Sequence, residues 1–332
     1  MEIDRKGIKF TFLFLTFLFL SVFFVREFSG LVFESVFGPD IAYENIDERL
    51  ASLRILRQSA LLLREENKNK VTMGFVGDVM LDRGVEFYID KYAEGNFKFP
   101  FQYVAEITSE YDILFGNLEG PISDTGQDLR KLYSFRMDPD AILGLEYAGF
   151  DVVSVANNHA FDWGGEAFRD TLSRLDLAGI VHVGENYRYK IIEAKGARVA
   201  FLAFSQFSGF RESEFKENIM EARKNSDIVV VSFHFGDEYA PPTDFQKRIS
   251  HLAVDSGADL VIGHHPHVIQ PSEYYKEKYI IYSLGNFGFD QNFSAETMEG
   301  LVVEVEFDKD KISAIKERKV KIDEKYRPYF VE

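Results

Sequence analysis

Residues able to hold a cation or move a proton recur in this sequence directly after apolar, β-branched runs. FVGDVM carries Asp78, LFGNLEG carries Asn117 and Glu119, and SVANNHAFDWG carries Asn157, Asn158, His159 and Asp162. VVSFHFGDEY carries His234, Asp237 and Glu238, LVIGHHPHVIQP carries His264, His265 and His267, and YSLGNFGFDQ carries Asn286 and Asp290. Five of the seven histidines fall in these clusters, and three of them flank one proline in a short loop, a pattern that packing seldom requires. The chain has no cysteine, which excludes thiolate ligands, disulfides and cysteine nucleophiles. A ligand set of carboxylate, amide oxygen and imidazole suits Mn, Fe or Zn rather than Ca, as one or two divalent ions. No Gly-x-Ser-x-Gly elbow and no GxxxxGK[ST] loop is present, so neither a serine nucleophile of that kind nor a P-loop is expected.

Something must bring these clusters together. Apolar runs predict strands near 71–77, 111–116, 151–156, 179–184, 198–205, 227–234, 258–263, 278–284, 301–307 and 312–321. Helical stretches are expected at 99–110, 139–148, 165–178 and 243–256, the last three closed by Gly149, Gly179 and Gly257. This alternation predicts an α/β layered domain. In open α/β sheets the carboxyl ends of the strands form the ligand crevice, and the clusters sit at those ends. His182 also follows a strand and is expected near the rim. His251 lies in a helical stretch and reads as a surface or packing residue.

The chain has 332 residues, with 38 Lys+Arg against 54 Asp+Glu, a net charge of −16. That balance argues against nucleic acid as a partner, and 46% hydrophobic content excludes a disordered chain. Ten of the 33 phenylalanines precede residue 40. Residues 10–25 carry no charge and follow Arg5, Lys6 and Lys9, a positive flank expected on the cytoplasmic side. As a helix this run spans roughly 24 Å, enough for a slightly short bilayer crossing. No good small-x-small cleavage site follows it. The expected plan is a cytoplasmic tail (1–9), a transmembrane anchor (10–28), a stalk or helical linker (29–70) and a main domain (71–332). The protein is then a single-pass cell-membrane protein with its main domain outside the cytoplasm. Within the stalk, Asn45 and Glu48 form a capping-box pattern ahead of an apolar stripe from Ile46 to Leu56.

The ordered clusters resemble the calcineurin-like metallophosphatase superfamily, and in finer pattern its CapA family, named for poly-γ-glutamate capsule synthesis. The matching stretches are GDVMLDR, NLEGPIS, NNHAFDWG, HFGDEY, GADLVIGHHPHVIQ and YSLGNFGFDQ, from residue 74 to about 291. The resemblance implies a four-layer αββα sandwich with its site at the strand ends. It implies metal ligands at Asp78, Asn158, His234, His265 and His267, with His159 beside the metal as general acid. Two positions depart from the superfamily pattern. Its Asp-x-His opening is Asp78-Val79-Met80 here, and its bridging Asp aligns with Asn117, leaving Glu119 as the nearby carboxylate. Asn117 and Glu119 therefore join the candidate ligands. One tight metal with a weaker or absent second is the expectation.

Two functions follow from this resemblance. In the first, the protein is a metal-dependent hydrolase of phosphoesterase type, acting in capsule or poly-γ-glutamate-like polymer synthesis or export. His159 would protonate the leaving group, Asp162 would orient His159, and Arg83 would pair with an anionic substrate group. In the second, the domain binds an anionic surface polymer or its precursor without turnover, beside membrane synthase or export partners.

Overall fold

A computed structural model of the protein describes residues 70–331. The expected tail, anchor and stalk lie, except for Lys70, outside the described residues. Among the described residues no helix is long and apolar enough to cross a membrane. The chain begins with β1 (Lys70–Val79), α1 (Arg83–Ala93), a 3₁₀ turn (Phe99–Phe101), α2 (Ala105–Thr108) and β2 (Ile113–Leu118). It continues through α3 (Ala141–Ala148), β3 (Val152–Ser154), α4 (Gly164–Leu177), β4 (Val181–Val183), β5 (Lys190–Ala194) and β6 (Ala197–Ser205). Then follow α5 (Glu212–Asn225), β7 (Ile228–His234), α6 (Asp244–Ser256), β8 (Leu260–His264), β9 (Ser272–Tyr275) and β10 (Lys278–Ile281). The last elements are β11 (Asn286–Gly288), β12 (Glu299–Asp308), β13 (Lys311–Ile322) and β14 (Pro328–Phe330).

The strands form two mixed sheets. One runs β14-β13-β12-β1-β2-β3-β4, with β11 also beside β1; the other runs β5-β6-β7-β8-β10-β9. The central strands β1 to β4 and β6, β7, β8, β10 pair in parallel. Period-two alternation explains how both faces of each sheet are buried. In β6, Val199, Phe201 and Ala203 join a core that also holds Met73, Phe75, Ile113 and Phe115 of the other sheet. Ala200, Leu202 and Phe204 point the other way, onto Phe215 and Ile219 of α5 and Ile249 of α6. Likewise Val76, Leu114 and Val153 face Val85 and Ile89 of α1 and Leu145 of α3.

The helix ends follow local chemistry. Thr243 and Gln246 make a reciprocal capping box at the start of α6, and Gly257 closes it at φ 118°. The structure corrects three expectations. The stretch 99–110 is a 3₁₀ turn and the short α2 rather than one helix; the Gln102 and Val104 N–H groups bond three residues back, to the Phe99 and Phe101 oxygens. The strand expected over 278–284 ends at Ile281, because the chain there leaves the second sheet to place β11 beside β1. Helices α1 and α5 occupy stretches to which the sequence reading assigned no element.

Candidate metal centre

Strand register gathers the clusters. Asp78 pairs with Asn117 across β1 and β2 and with Asn286 across β1 and β11. His234 pairs with His264 across β7 and β8. Asn286 opens β11, and the others lie at the carboxyl ends of their strands, so one sheet delivers carboxylates and amides while the other delivers imidazoles. Two glycines permit the close approach. A Cβ on Gly77 would sit 2.0 Å from the Gly285 carbonyl oxygen, and one on Gly263 would sit 1.9 Å from that of Tyr282. The Asp78 N–H donates to that Gly285 oxygen at 3.0 Å, which fixes the carboxylate.

The inner half of the centre is acidic. Asp78 is fully buried and accepts from Asn117 Nδ2 at 2.8 Å and from the His265 N–H at 3.2 Å. Burial pushes its carboxyl up, but His264, His267 and Asn117 outweigh burial and hold it below the ordinary value. Glu119 is also fully buried, and its Oε1 has no hydrogen-bond partner. Burial, then the Asp78, Glu238 and Asp162 charges, push its carboxyl well above the ordinary value against the pull of Arg83. His267 Nε2 lies 3.5 Å from Oε1 and His159 Nε2 lies 4.0 Å away. Asn286 donates its Nδ2 hydrogens to Gln291 Oε1 at 3.1 Å and Thr297 O at 2.9 Å. Its Oδ1 therefore faces His267 Nδ1 at 2.9 Å, which places the ring proton there and leaves Nε2 bare toward Glu119.

The outer half is built from neutral groups. His234 Nε2 lies 2.7 Å from Asn158 Oδ1 and 3.1 Å from His265 Nδ1. Burial depresses the basicity of His234 well below the ordinary value, aided by its histidine neighbours, and takes His265 to about 3. Burial lowers His267 too. These rings are neutral at pH 7, the form that binds a metal. His265 and His267 adopt φ of 99° and 56°, left-handed values that non-glycine residues rarely take. In two ligand sets one donor atom from each residue lies within 4.8 Å of the others: Asp78, Glu119 and His267, and Glu238, His265 and His267. An orphaned carboxylate oxygen among bare imidazole nitrogens fits a divalent cation.

His159 stands apart with its own base. Its Nδ1 is 2.7 Å from Asp162 Oδ2, which also accepts the Phe135 N–H at 2.9 Å. The Phe135 ring stacks on the imidazole with centroids 4.1 Å apart. Lys131 Nζ reaches Asp162 Oδ1 at 2.8 Å and donates to the Asn158 carbonyl oxygen at 2.6 Å. His159 opens on a 620 Å³ cleft whose walls include Asn158, Lys131, Phe161, Phe207 and Glu238.

The remaining expectations divide. Asn117 serves as a donor to Asp78, while its Oδ1 accepts from Asn157 Nδ2 at 3.2 Å. Arg83 is ion-paired with Asp290 and lies 4.6 Å over the Phe135 ring, and its charge pulls on the buried Glu119 carboxyl. Met80 packs with Phe135 and Phe289. His182 lies among Asp176, Glu185 and Lys190, and His251 pairs with Glu273 while stacking on Tyr275; neither joins the centre. Lys131 lies outside the sequence clusters, while Asn157 and Glu238 lie within them without a distinct role. For Glu238 the signal was present, since it follows β7 by four residues within the HFGDEY cluster.

Two mixed sheets with flanking helices, converging on a buried Asp/Glu/Asn/His donor set, define a mixed α/β protein similar in fold to phosphatases. A phosphatase from Mycoplasma pneumoniae superposes with a TM-score of 0.50 at 15% identity, over 78% of this chain and 96% of that one. A hypothetical protein from Thermus thermophilus gives 0.50 at 17% identity, over 76% and 99%. Residues 72–291 match the family described as bacterial capsule synthesis protein PGA_cap, and the chain belongs to that family. It is 34% identical over 256 residues to the PGA biosynthesis protein CapA of Bacillus subtilis, covering 70% of this chain and 67% of the relative. It is 30% identical over 269 residues to the capsule biosynthesis protein CapA of Bacillus anthracis, covering 72% and 65%. The match thus spans about two thirds of the length of these relatives.

Proposed function

We propose that this protein acts in the synthesis or export of a capsular polymer of the poly-γ-glutamate kind, as a metal-dependent hydrolase of phosphoesterase type. The three apolar layers between helices and sheets support a four-layer αββα sandwich. Membership of the capsule synthesis family supports the biological setting. The observation that carries the chemical reading is the His159–Asp162 pair beside the buried donor set, because a cation-binding centre used only for structure needs no oriented imidazole at the mouth of a cleft. One or two Mn, Fe or Zn ions held among Asp78, Glu119, Asn158, His234, His265 and His267 would polarise a phosphoryl oxygen and lower the pKa of a bound water. His159, with Nδ1 against Asp162, presents Nε2 to protonate a leaving group. The uncharged run at 10–25 supports an anchored protein whose domain works outside the cytoplasm, next to membrane synthase or export partners.

The test is a panel of phosphomonoesters and phosphodiesters given to the full-length chain in detergent with added Mn²⁺. His159→Ala should lower turnover by about 10²–10⁴ while metal content is kept, and Asn158→Ala should lose both. Metal bound by the wild type without turnover on any ester would overturn the hydrolase and leave a polymer-binding subunit.

A further inference from the structure

The outer half of the centre is short of negative charge. Asn158, His234 and His265 offer neutral donors, and the amide of Asn117 is committed to Asp78. Asp78 and Glu119 lie on the inner side, where they share His267. The carboxylate that lies with His265 and His267 is Glu238, with donor atoms within 4.8 Å. Its turn is held on both sides. Gly236, at φ 94°, donates its N–H to Gln206 Oε1 at 3.0 Å and accepts from Gln206 Nε2 at 3.1 Å. Tyr239, also left-handed at φ 59°, donates its N–H to the Pro266 carbonyl oxygen at 2.9 Å, which ties the turn to the His264–His267 loop. Its hydroxyl accepts from Gln291 Nε2 at 3.1 Å. Glu238 is exposed on the cleft wall, yet the backbone on either side of it is hydrogen-bonded in place and its carboxylate lies within reach of the histidines. An exposed acid with no role would not need such a frame.

We propose that Glu238 is a cation ligand, completing the outer half of the centre with His265 and supplying its negative charge. The inference rests on the metal-dependent reading above and adds a ligand to it. Because Asn286 fixes the proton on His267 Nδ1, only Nε2 of that ring is free. One nitrogen serves one cation, so an inner ion bound to Asp78, Glu119 and His267 leaves the outer position to Glu238, His265, His234 and Asn158.

The experiment is titration of the full-length chain, purified in detergent and stripped with chelator, with Mn²⁺ and separately with Zn²⁺. Bound metal is counted by elemental analysis, and Mn²⁺ is followed by electron paramagnetic resonance. Glu238→Gln should weaken one binding step at least tenfold and leave the melting temperature of the stripped chain unchanged. Glu238→Asp should recover part of the affinity. Isotherms for Glu238→Gln that overlay the wild type overturn this inference while the metal-dependent reading stands. A wild type that binds neither ion overturns both.

Discussion

Replacing Glu119 by glutamine exchanges cation binding for stability of the metal-free chain. Glu119 is buried, one of its oxygens has no partner, and burial with three nearby carboxylates pushes its carboxyl well above its usual 4.5. The folded chain therefore holds this proton more tightly than the unfolded chain. Without a cation, stability falls as pH rises from about 4.5 toward the higher folded value. Glutamine carries no charge, and its amide can donate to Asp78, which stays ionised. Removing the proton-linked cost of this unpartnered buried carboxyl stabilises by about 1–3 kcal/mol. At roughly 2–4 °C per kcal/mol in a chain of this size, Glu119→Gln should melt about 2–12 °C higher at pH 8 in chelator. With cation the sign reverses. A ligand at a hundred times its Kd stabilises the wild type by about 2.7 kcal/mol, or roughly 5–10 °C, and the variant should lose most of that shift. Thermal melts of the full-length chain between pH 5 and 8, in chelator and in Mn²⁺, read both effects. A variant that melts below the wild type in chelator, or that keeps the full Mn²⁺ shift, refutes the assignment of Glu119 as a ligand held against its own charge.

Three further outcomes are expected. Glu86, half-buried in the first turn of α1, is raised to about 7 by burial and by Asp82, Asp138 and Asp90. Its contribution is present below about 4.5 and is lost as pH rises through 7; solvent screening limits it to about 1 kcal/mol. Urea unfolding of Glu86→Gln at pH 5 and pH 8 should show that loss removed, and an unchanged pH slope would count against it. Asp162→Asn should cut kcat by about 10²-fold or more while bound metal stays at the wild-type level; loss of metal instead would mean Asp162 holds the centre together rather than orienting His159. Gly77→Ala places a Cβ 2.0 Å from a backbone oxygen, so it should destabilise by about 1–3 kcal/mol and weaken Mn²⁺ binding by displacing Asp78. Wild-type melting and affinity in that variant would show that the two strands have room to part.

Much of this architecture is legible in the sequence because the central strands are buried on both faces. Runs such as Val199–Phe204 and Ile228–Phe233 are apolar at nearly every position, with the chemistry-bearing residues only where the strand emerges. The order of those emergent residues carries the resemblance that implies roles for Asp78, Asn158, His159, His234, His265 and His267. What the sequence hid was contact made by register. Nothing local says that Asn286 sets the His267 tautomer, since the two meet only because β11 returns to pair with β1. Arg83 reads as a free cation in GDVMLDR; its partner Asp290 is more than two hundred residues away. Glu238 was visible in HFGDEY, but Gly236 and Tyr239 must turn the chain before it faces the histidines. Helix α5 was missed for a different reason. Its buried Phe215, Ile219 and Ala222 form a thin stripe on an otherwise charged segment, so its signal is weaker than that of the strands on either side.

The centre lies on the seam between the two sheets, and this has a consequence beyond chemistry. Asp78, Glu119 and Asn158 belong to strands and loops of one sheet, while His234, His265 and His267 belong to the other. At their carboxyl ends the two sheets meet through polar contacts, such as His234 with Asn158 and the His265 N–H with Asp78. Below that level the interface is apolar and closely packed, with Phe115 stacked on Phe201 at 5.8 Å. A cation held across the seam would tie the sheets where apolar packing ends. Its binding should therefore be read in amide exchange of β1, β7 and the His264–His267 loop together, not in one sheet alone. Protection confined to the histidine loop would mean that the imidazoles bind the ion without the carboxylates, and that the inner half of the centre does not take part.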